Sequence, residues 1–270
     1  MNNAARIPDH SVQGHGDTTV FLLHGAYGAK EYWWYVIQAL VARGLRVVAW
    51  DAPGYGVSEV APHPDMAYFA RAFASLFERH RTARNVLLGH SMGGVAVQKF
   101  CQLCPGGVDA IVLSATMHTF NHSGPEWQER FLRERVAPLT AGKSIAEYAP
   151  ALLRSMMGPG AAGPGIELVI ENIKRMNPLA FQAAIGALSR YDEPANLDAI
   201  TAPTLCIAGS LDETCPARVM KIMADRLGER GEFIAMDGVG HFGWAERPQE
   251  YNRHVFEFLD RRLAEGRRPS

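Results

Sequence analysis

The order of apolar runs and helix-like segments constrains this chain most. Short runs that are almost continuously apolar alternate with segments of helical periodicity. The apolar runs lie at residues 19–23, 45–50, 85–88 and 110–115, and the helical segments between them lie at 31–43, 66–79 and 92–104. Strands that helices cover on both faces need such unbroken apolar sequence. Since strand–helix–strand units join parallel strands through right-handed crossovers, the pattern predicts an α/β fold with a mostly parallel, doubly wound sheet.

The alternation is interrupted in the middle of the chain. Between residues 116 and 195 there are helical patterns but no clear strand. Strand patterns then resume at 204–208 and 232–236, with helical patterns at 216–227 and 249–265. The sequence therefore predicts a core of residues 1–115 and 196–270, with a helical cap of residues 116–195 inserted into it. Ligands of open parallel sheets bind at the carboxyl ends of the strands, so we expect this cap to cover the site.

Composition and charge exclude several classes of protein. The 27 basic and 28 acidic residues leave a formal charge of −1, which offers no electrostatic surface for nucleic acid. No apolar run approaches the roughly 20 residues of a membrane helix, and the polar N-terminal segment contains no secretory signal. We therefore expect a cytoplasmic protein. We expect the basic C-terminal residues to face water, namely Arg261, Arg262, Arg267 and Arg268.

Two pairs of residues have the spacing of metal ligands. Cys101 and Cys104 form a C-x-x-C within a predicted helix, and His118 and His122 are four residues apart. Neither pair is accompanied by the further cysteines or carboxylates that a zinc site needs. The sequence therefore predicts no metal and no cofactor.

A candidate nucleophile lies between the third apolar run and the helix that follows it. Residues 89–94 read Gly-His-Ser-Met-Gly-Gly and contain the pattern G-x-S-x-G. On a sharp strand-to-helix turn, this pattern lifts the serine above the carboxyl end of the sheet, at a helix N-terminus that favours negative charge. A serine here can also be a simple helix cap. The position directly between strand and helix favours Ser91 as a nucleophile.

Further motifs occur ahead of the serine motif. Residues 24–28 read His-Gly-Ala-Tyr-Gly, and residues 51–58 read Asp-Ala-Pro-Gly-Tyr-Gly-Val-Ser. With these motifs in this order, the chain resembles the α/β-hydrolase superfamily over essentially its whole length. The resemblance implies the α/β-hydrolase fold and a catalytic order of serine, acid and histidine. It also implies structural roles for His24 and His90.

The resemblance places a base and an acid as well. A serine hydroxyl needs an adjacent base to act as a nucleophile, and His241 follows a predicted strand at the position of the family's histidine. Asp212 follows strand 204–208 and matches the family's acid, which orients the imidazole and stabilises its charged form. Glu213 is adjacent and Asp237 lies four residues before His241, so both remain alternatives for the acid or its helper.

The reaction that these residues predict forms an oxyanion, which needs two backbone N–H donors. In the family one donor follows the nucleophile and one follows the first strand, which correspond to the amides of Met92 and Ala26. We expect Ser91 to attack a carbonyl while His241 accepts its proton. An acyl-serine then forms, and water releases the acid.

Aromatic and basic residues provide candidates for substrate contacts. The candidates for the pocket lining are Tyr27, His118, Trp127, Tyr191 and Trp244. The candidates for holding a substrate carboxylate are Arg154, Lys174, Arg175 and Arg190. Core packing or exposure to water is the alternative for each of them.

The serine at the elbow separates this chain from haloalkane dehalogenases and related epoxide hydrolases, which use an aspartate there. We expect a serine esterase or lactonase that acts on a small, apolar or aromatic-derived ester or lactone, resembling the branch that includes 3-oxoadipate enol-lactonase. A carbon–carbon bond hydrolase of ring-cleavage products, a cofactor-free perhydrolase or haloperoxidase-like enzyme, and a catalytically silent receptor remain alternatives. The expected partner is a small molecule, not nucleic acid or a membrane, and the oligomeric state stays open.

Overall fold

Parallel strands form the centre of the molecule. The computed structural model describes residues 7–59 and 64–265. Its strands are β1 (His10–Gln13), β2 (Thr18–Leu23), β3 (Arg46–Trp50), β4 (Arg84–His90), β5 (Ala110–Ser114), β6 (Thr204–Gly209) and β7 (Gly231–Met236). They form one sheet in the order β1-β3-β2-β4-β5-β6-β7, in which only the β1–β3 pair is antiparallel. The predicted α/β-hydrolase fold with its mostly parallel sheet is confirmed.

Helices connect these strands close to the predicted positions. They are α1 (Trp34–Ala42), α2 (Met66–His80), α3 (Met92–Leu103), α4 (Pro125–Thr140), α5 (Ile145–Ser155), α6 (Pro164–Ile173), α7 (Pro178–Ser189), α8 (Ala217–Leu227), α9 (Gly243–Glu246) and α10 (Pro248–Glu265). Short 3-10 turns lie at Lys30–Trp33, Pro194–Ala199 and Gly228–Arg230. Two short elements, β1 and α9, have no counterpart in the predicted pattern.

Burial explains the unbroken apolar sequence of the central strands. Every residue of β2, β5 and β6 is buried, because both faces of these strands are covered. The edge strand β1 is short and only partly buried, so it lacks the apolar run that marks the others. At the start of α2, the Asp65 carboxylate accepts a hydrogen bond from the Tyr68 N–H at 2.6 Å, so Asp65 caps this helix.

Helices α4 to α7 form an insertion between β5 and β6. Helix α6 packs against α9, and Gly240 lies very close to the end of α5. A Cβ on Gly240 would be 2.2 Å from the carbonyl oxygen of Met156. The insertion therefore contacts the segment that carries His241. The division of the chain into a core and a cap domain stays a prediction.

The sequence also predicts the absence of a membrane helix and the exposure of the C-terminal arginines. In the part of the chain that the structure describes, no helix combines the length and the apolar character of a membrane span. At the C-terminus, Arg261 and Arg262 form ion pairs with Glu232. Arg267 and Arg268 lie outside the described residues.

A close backbone approach requires glycine at the start of α3. A Cβ on Gly93 would lie 2.1 Å from the carbonyl oxygen of Leu23, at the end of β2. We expect Gly93→Ala to lower the free energy of unfolding by about 2 kcal/mol or more, because strand or helix has to move. The control is Gly186→Ala in α7, where the methyl group meets only the flexible end of Arg190 at 3.3 Å.

Gly186→Ala should be as stable as the wild type or slightly more stable, since alanine favours helices. Unfolding in urea, followed by circular dichroism, measures both variants. Equal stability of Gly93→Ala and the wild type would contradict the close packing of α3 against β2.

Candidate active site

Ser91 lies on a strained turn between β4 and α3. Its backbone has φ 52° and ψ −119°, which a residue with a side chain rarely adopts. The end of β5 and the residues after it hold this conformation: the Ser91 N–H donates to Ser114 O at 3.0 Å, and Thr116 Oγ1 donates to Ser91 O at 2.7 Å. The Ser91 hydroxyl makes no capping hydrogen bond to α3. The side chain of Ser91 therefore does not act as a helix cap, and its role as a nucleophile stays a prediction.

His241 and Asp212 form a buried acid–base pair. His241 Nδ1 is 2.7 Å from Asp212 Oδ2, and the other carboxylate oxygen accepts from the N–H groups of Thr214 (2.8 Å) and Cys215 (3.0 Å). Burial raises the pKa of Asp212, but His241 and the two N–H donors outweigh it, so the pKa of this carboxyl lies below its usual value. Because the carboxylate accepts, Nδ1 carries the proton and Nε2 of His241 is left as an acceptor.

Ser91 and His241 line the same narrow cleft. The other lining residues are Gly25, Ala26, Tyr27, Tyr32, His90 and Phe242. The cleft is too narrow to hold a water molecule. The structure thus brings the predicted serine to the edge of the acid–base pair.

The loop after β2 lies against the turn of Ser91. A Cβ on Gly25 would be 3.0 Å from the Ser91 Cβ. The Gly25 carbonyl accepts from His24 Nδ1 (2.8 Å) and from the Gly28 N–H (2.9 Å). Since a trans peptide points its C=O and N–H in opposite directions, the N–H of Ala26 points away from these donors.

Both predicted oxyanion donors lack an intramolecular acceptor. Among the hydrogen bonds of residues 7–59 and 64–265, none has the Ala26 or the Met92 N–H as its donor. Met92 is the first residue of α3, where N–H groups have no partner within the helix. The Tyr55 hydroxyl fixes the Ala26 peptide by donating to its carbonyl at 2.9 Å. His24 Nε2 accepts from the Ala52 N–H at 2.9 Å, so this histidine ties the loop to the turn after β3.

A chain of buried hydrogen bonds connects this loop with His241. The Gly25 N–H donates to the Tyr32 hydroxyl at 2.8 Å, and Tyr32 Oη lies 3.2 Å from His90 Nδ1. His90 Nε2 lies 2.9 Å from the His241 carbonyl, which can only accept. His90 Nε2 therefore carries the proton, and Nδ1 accepts from Tyr32. Burial lowers the pKa of His90 to about 3, so the ring is neutral.

Glu246 holds the peptides on both sides of His241. Its Oε2 accepts from the N–H groups of Gly158 (2.7 Å) and Gly240 (2.9 Å), and its Oε1 accepts from the Phe242 N–H at 2.9 Å. Gly158 follows the end of α5, so the same carboxylate attaches the insertion to the His241 loop. Sequence reasoning missed this residue, because an acid in the charged segment 246–250 has the pattern of a surface residue.

Comparison with known proteins identifies the family. Residues 20–254 match the family described as "Alpha/beta hydrolase family". The chain belongs to the alpha/beta hydrolase family.

Relatives of this hydrolase-family protein cover nearly all of it. A Variovorax paradoxus protein, provisionally named carbamate hydrolase RutD, is 29% identical, with 95% of this chain and 97% of its own length covered. A proline iminopeptidase of Lactobacillus helveticus is 24% identical, with 88% of each chain covered. Among solved structures, a thermophilic esterase of Thermogutta terrifontis has a TM-score of 0.80 at 23% identity, with 94% of this chain and 93% of its own covered. The enol-lactonase of Burkholderia xenovorans LB400 has a TM-score of 0.78 at 17% identity, with coverages of 93% and 96%.

The two alternative acids of this alpha/beta hydrolase point away from the cleft. Glu213 is exposed and lies 3.5 Å from Arg130. Asp237 is exposed and accepts from Ser210 Oγ at 3.4 Å. Asp212 is the acid that hydrogen-bonds to His241.

The predicted pocket residues are not all brought together. Tyr27 lies in the cleft with Ser91. Trp127 lines a groove on the outer side of Asp212, and His118 is partly buried in the loop after β5. Tyr191 and Trp244 are 2% and 1% exposed within the core. Their contact with a substrate stays a prediction.

One group of side chains has the spacing of metal ligands. Ligand atoms of Asp212, Cys215 and His241 lie within 4.8 Å of one another. Burial, together with the charge of Asp212, raises the pKa of the Cys215 thiol well above its usual value. A metal would require the thiolate and would compete with the hydrogen bond between Asp212 and His241. The donor set therefore suits an acid–base pair better than a metal ion.

Removal of the Glu246 carboxylate should destabilise the fold. Glu246→Ala leaves three buried N–H groups unpaired, and we expect the free energy of unfolding to fall by about 3 kcal/mol. Glu257→Ala is the control, because that side chain is 53% exposed on α10 and its loss should change stability by less than about 0.5 kcal/mol. Urea unfolding measures both. Equal stabilities of the two variants would refute the role of Glu246.

Neutral, buried His90 should make stability depend on pH. Between its ordinary pKa of 6.5 and the folded value of about 3, the unfolded chain binds a proton that folded His90 excludes. The free energy of unfolding therefore falls as the pH falls, by about 1.4 kcal/mol per pH unit from this residue. We expect His90→Asn to remove that part of the slope between pH 6 and pH 4.

Urea unfolding at several pH values measures the slope. The control is His15→Asn, which replaces an exposed histidine and should leave the slope unchanged. The same slope in His90→Asn as in the wild type would mean that folded His90 takes up a proton.

Proposed function

We propose that this protein is a serine hydrolase that cleaves a small, apolar or aromatic-derived carboxylic ester or lactone through an acyl-serine intermediate. The observation that carries the proposal is the 2.7 Å hydrogen bond between His241 and Asp212 at the cleft that Ser91 lines. It sets the tautomer in which His241 Nε2 can accept the serine proton. A relative named as a carbamate hydrolase agrees with hydrolytic chemistry at such a site.

The first half of the reaction forms the acyl-enzyme. Ser91 Oγ attacks the substrate carbonyl while His241 Nε2 takes the hydroxyl proton. The N–H groups of Ala26 and Met92 stabilise the oxyanion, and Asp212 stabilises the imidazolium. The tetrahedral intermediate then breaks its bond to the leaving oxygen, which receives the proton from His241 and departs as an alcohol. In a lactone this alcohol stays attached to the acyl group.

The second half regenerates the serine. A water molecule gives one proton to His241 and attacks the acyl carbonyl, again with the oxyanion held by the two N–H groups. The bond to Ser91 Oγ breaks, Oγ takes the proton back, and the carboxylic acid leaves. One ester and one water thus become one acid and one alcohol.

Access to Ser91 requires movement. Because the cleft is too narrow for a water molecule, the residues around it have to separate before a substrate binds. We assign this role to the helical insertion, as a cap of residues 116–195 over a core of residues 1–115 and 196–270. The insertion contacts the His241 loop through Met156 and Gly158, so its movement would change access to the cleft.

Loss of the serine hydroxyl tests the proposal. We expect Ser91→Ala to fold normally and to lose turnover by about 10⁴-fold or more on p-nitrophenyl esters and small lactones, because nothing else supplies the nucleophile. The matched control is Ser189→Ala on α7, whose hydroxyl donates to the Gly186 carbonyl within the same helix. This control should have wild-type turnover.

Two results would contradict the esterase mechanism. Wild-type turnover in Ser91→Ala would exclude Ser91 as the nucleophile. No turnover of any ester or lactone by the wild type, with Ser91 still labelled by a fluorophosphonate, would redirect the search to vinylogous diketones and carbon–carbon bond hydrolysis.

A further inference from the structure

The guanidinium of Arg135 is buried in the insertion, and its one contact with a carboxylate among the described residues, that of Glu134, is long and reaches an exposed side chain. Arg135 lies on α4 and is 3% exposed. Its hydrogen bonds are long. Nη1 donates to Phe131 O at 3.4 Å and to Glu134 Oε2 at 3.5 Å, and Nη2 donates to Thr214 Oγ1 at 3.4 Å and to Met156 Sδ at 3.6 Å. The nearest carboxylate is that of Glu134, which is 43% exposed and 3.5 Å from Nη1. Within the described residues, Nε has no partner.

The buried charge of the Arg135 guanidinium needs a negatively charged or hydrogen-bonding partner to be stable. Removal of a cation from water is costly unless a carboxylate and hydrogen bonds of ordinary length replace the lost hydration. Arg135 instead stacks on the Phe131 ring, 3.8 Å from its centre, which replaces only part of that stabilisation. It lines a cavity of about 250 Å³ together with Arg130, Glu134 and Glu213. Because both glutamates are exposed to water and Arg135 is buried, Arg135 is the group in this cavity that lacks a buried counter-ion among the described residues.

Two of the side chains that Arg135 contacts, Thr214 and Met156, belong to the segments that hold the acid–base pair. The Thr214 N–H donates to Asp212 at 2.8 Å. The Met156 carbonyl accepts from the His241 N–H at 2.8 Å. Arg135 is thus buried and contacts both segments that hydrogen-bond to the acid–base pair.

Tyr27 connects Arg135 with the cleft. The guanidinium carbon is 5.9 Å from the centre of the Tyr27 ring, and Tyr27 lines the cleft together with Ser91. The Tyr27 hydroxyl is buried and has no hydrogen-bond partner among the described residues. Burial raises the pKa of this hydroxyl, so it is a neutral donor. Two buried groups without full partners, one cationic and one a donor, therefore lie on the same side of the cleft.

We propose that Arg135, assisted by the Tyr27 hydroxyl, binds a carboxylate of the substrate, so that the preferred substrate is an ester or lactone that also carries a free carboxylate. This inference rests on the proposed function. A carboxylate gives the guanidinium charge-assisted hydrogen bonds of ordinary length, which the folded chain does not supply. It takes no part in the covalent steps. Its binding orients the scissile carbonyl towards Ser91.

The basic residues that the sequence suggested for this role have other surroundings. Arg154 and Lys174 are exposed and pair with surface glutamates. Arg190 is exposed and donates to a backbone carbonyl, and Arg175 is exposed as well. Arg135 differs from all four because it is buried, and no local signal marks it, since α4 carries acidic and basic residues like a surface helix.

Two esters test the proposal. Methyl pentanoate and monomethyl glutarate share a methyl ester and a five-carbon acyl chain, and they differ in the terminal carboxylate. kcat and KM are measured for the wild type, Arg135→Met, Arg135→Lys and the control Arg133→Met, whose side chain is 62% exposed on the same helix. We expect the wild type and the control to prefer monomethyl glutarate.

Arg135→Met should reduce this preference, as the ratio of the two kcat/KM values, by about 10- to 100-fold, mainly through KM. Arg135→Lys should retain part of it, because the charge remains. Arg135→Met should also melt at the same or a higher temperature, since it removes a poorly compensated buried charge. An equal loss for both esters together with a lower melting temperature would show a structural role and overturn the proposal, as would a wild type without preference.

Glutarate binding separates this inference from the proposed function. Titration calorimetry compares Ser91→Ala with the double variant Ser91→Ala, Arg135→Met, and we expect at least about 10-fold weaker binding in the double variant. If the wild type hydrolyses no ester, the esterase proposal fails, while Arg135-dependent glutarate binding still supports the carboxylate site. Equal or absent binding in both variants overturns the carboxylate site.

Discussion

The close approach of backbone segments at the start of α3 determines where the reactive side chains lie. Ser91 adopts a φ of 52°. Gly89 and Gly93 lie two residues before and after it, at positions where a side chain would clash with the backbone. A Cβ on Gly89 would meet the Gly93 carbonyl at 2.6 Å, and one on Gly93 would meet the Leu23 carbonyl at 2.1 Å. Since β2 ends at Leu23, the contact that permits the turn also brings the loop after β2 against the serine. The positions of the proposed nucleophile and of the expected oxyanion donors therefore depend on one packing constraint.

His241 is held through its backbone as well as through its ring. Its Nδ1 bonds to Asp212, its N–H donates to Met156 O, and its carbonyl accepts from His90 Nε2. Glu246 fixes the peptides on either side. These contacts come from the loop after β6, the insertion, the end of β4 and α9. The orientation of the imidazole is thus a property of the assembled fold and not of the loop that carries it.

The sequence predicts features that depend on neighbouring residues, and it does not predict features that depend on distant contacts. Burial on both faces of a strand produces a run of apolar residues, and a helix with one buried face produces apolar residues at helical spacing. Both patterns are local, so they predict the central strands and most helices. Asp212 and His241 each follow a strand, and the resemblance to the family's order of serine, acid and histidine pointed to both; the structure shows that they hydrogen-bond to each other. Glu246 and Arg135 lie in segments with the charge pattern of exposed helices, and only tertiary packing buries them. Tyr32 orders the site through a hydrogen bond to His90, which is 58 residues away in the chain, and no local sequence pattern indicates such a contact.

The residues that follow α5 are hydrogen-bonded to the segment that carries His241. Met156 O accepts from His241, and the Gly158 N–H donates to Glu246, so a displacement of this segment would pull on His241 directly. Opening of the cleft therefore preserves the pair only when the end of α5 stays in place and another part of the insertion moves. Helix α4 carries Arg135, whose contacts with its surroundings are long. A substrate carboxylate bound by Arg135 would hold α4 against the acid loop and close the site over an ester of the right charge.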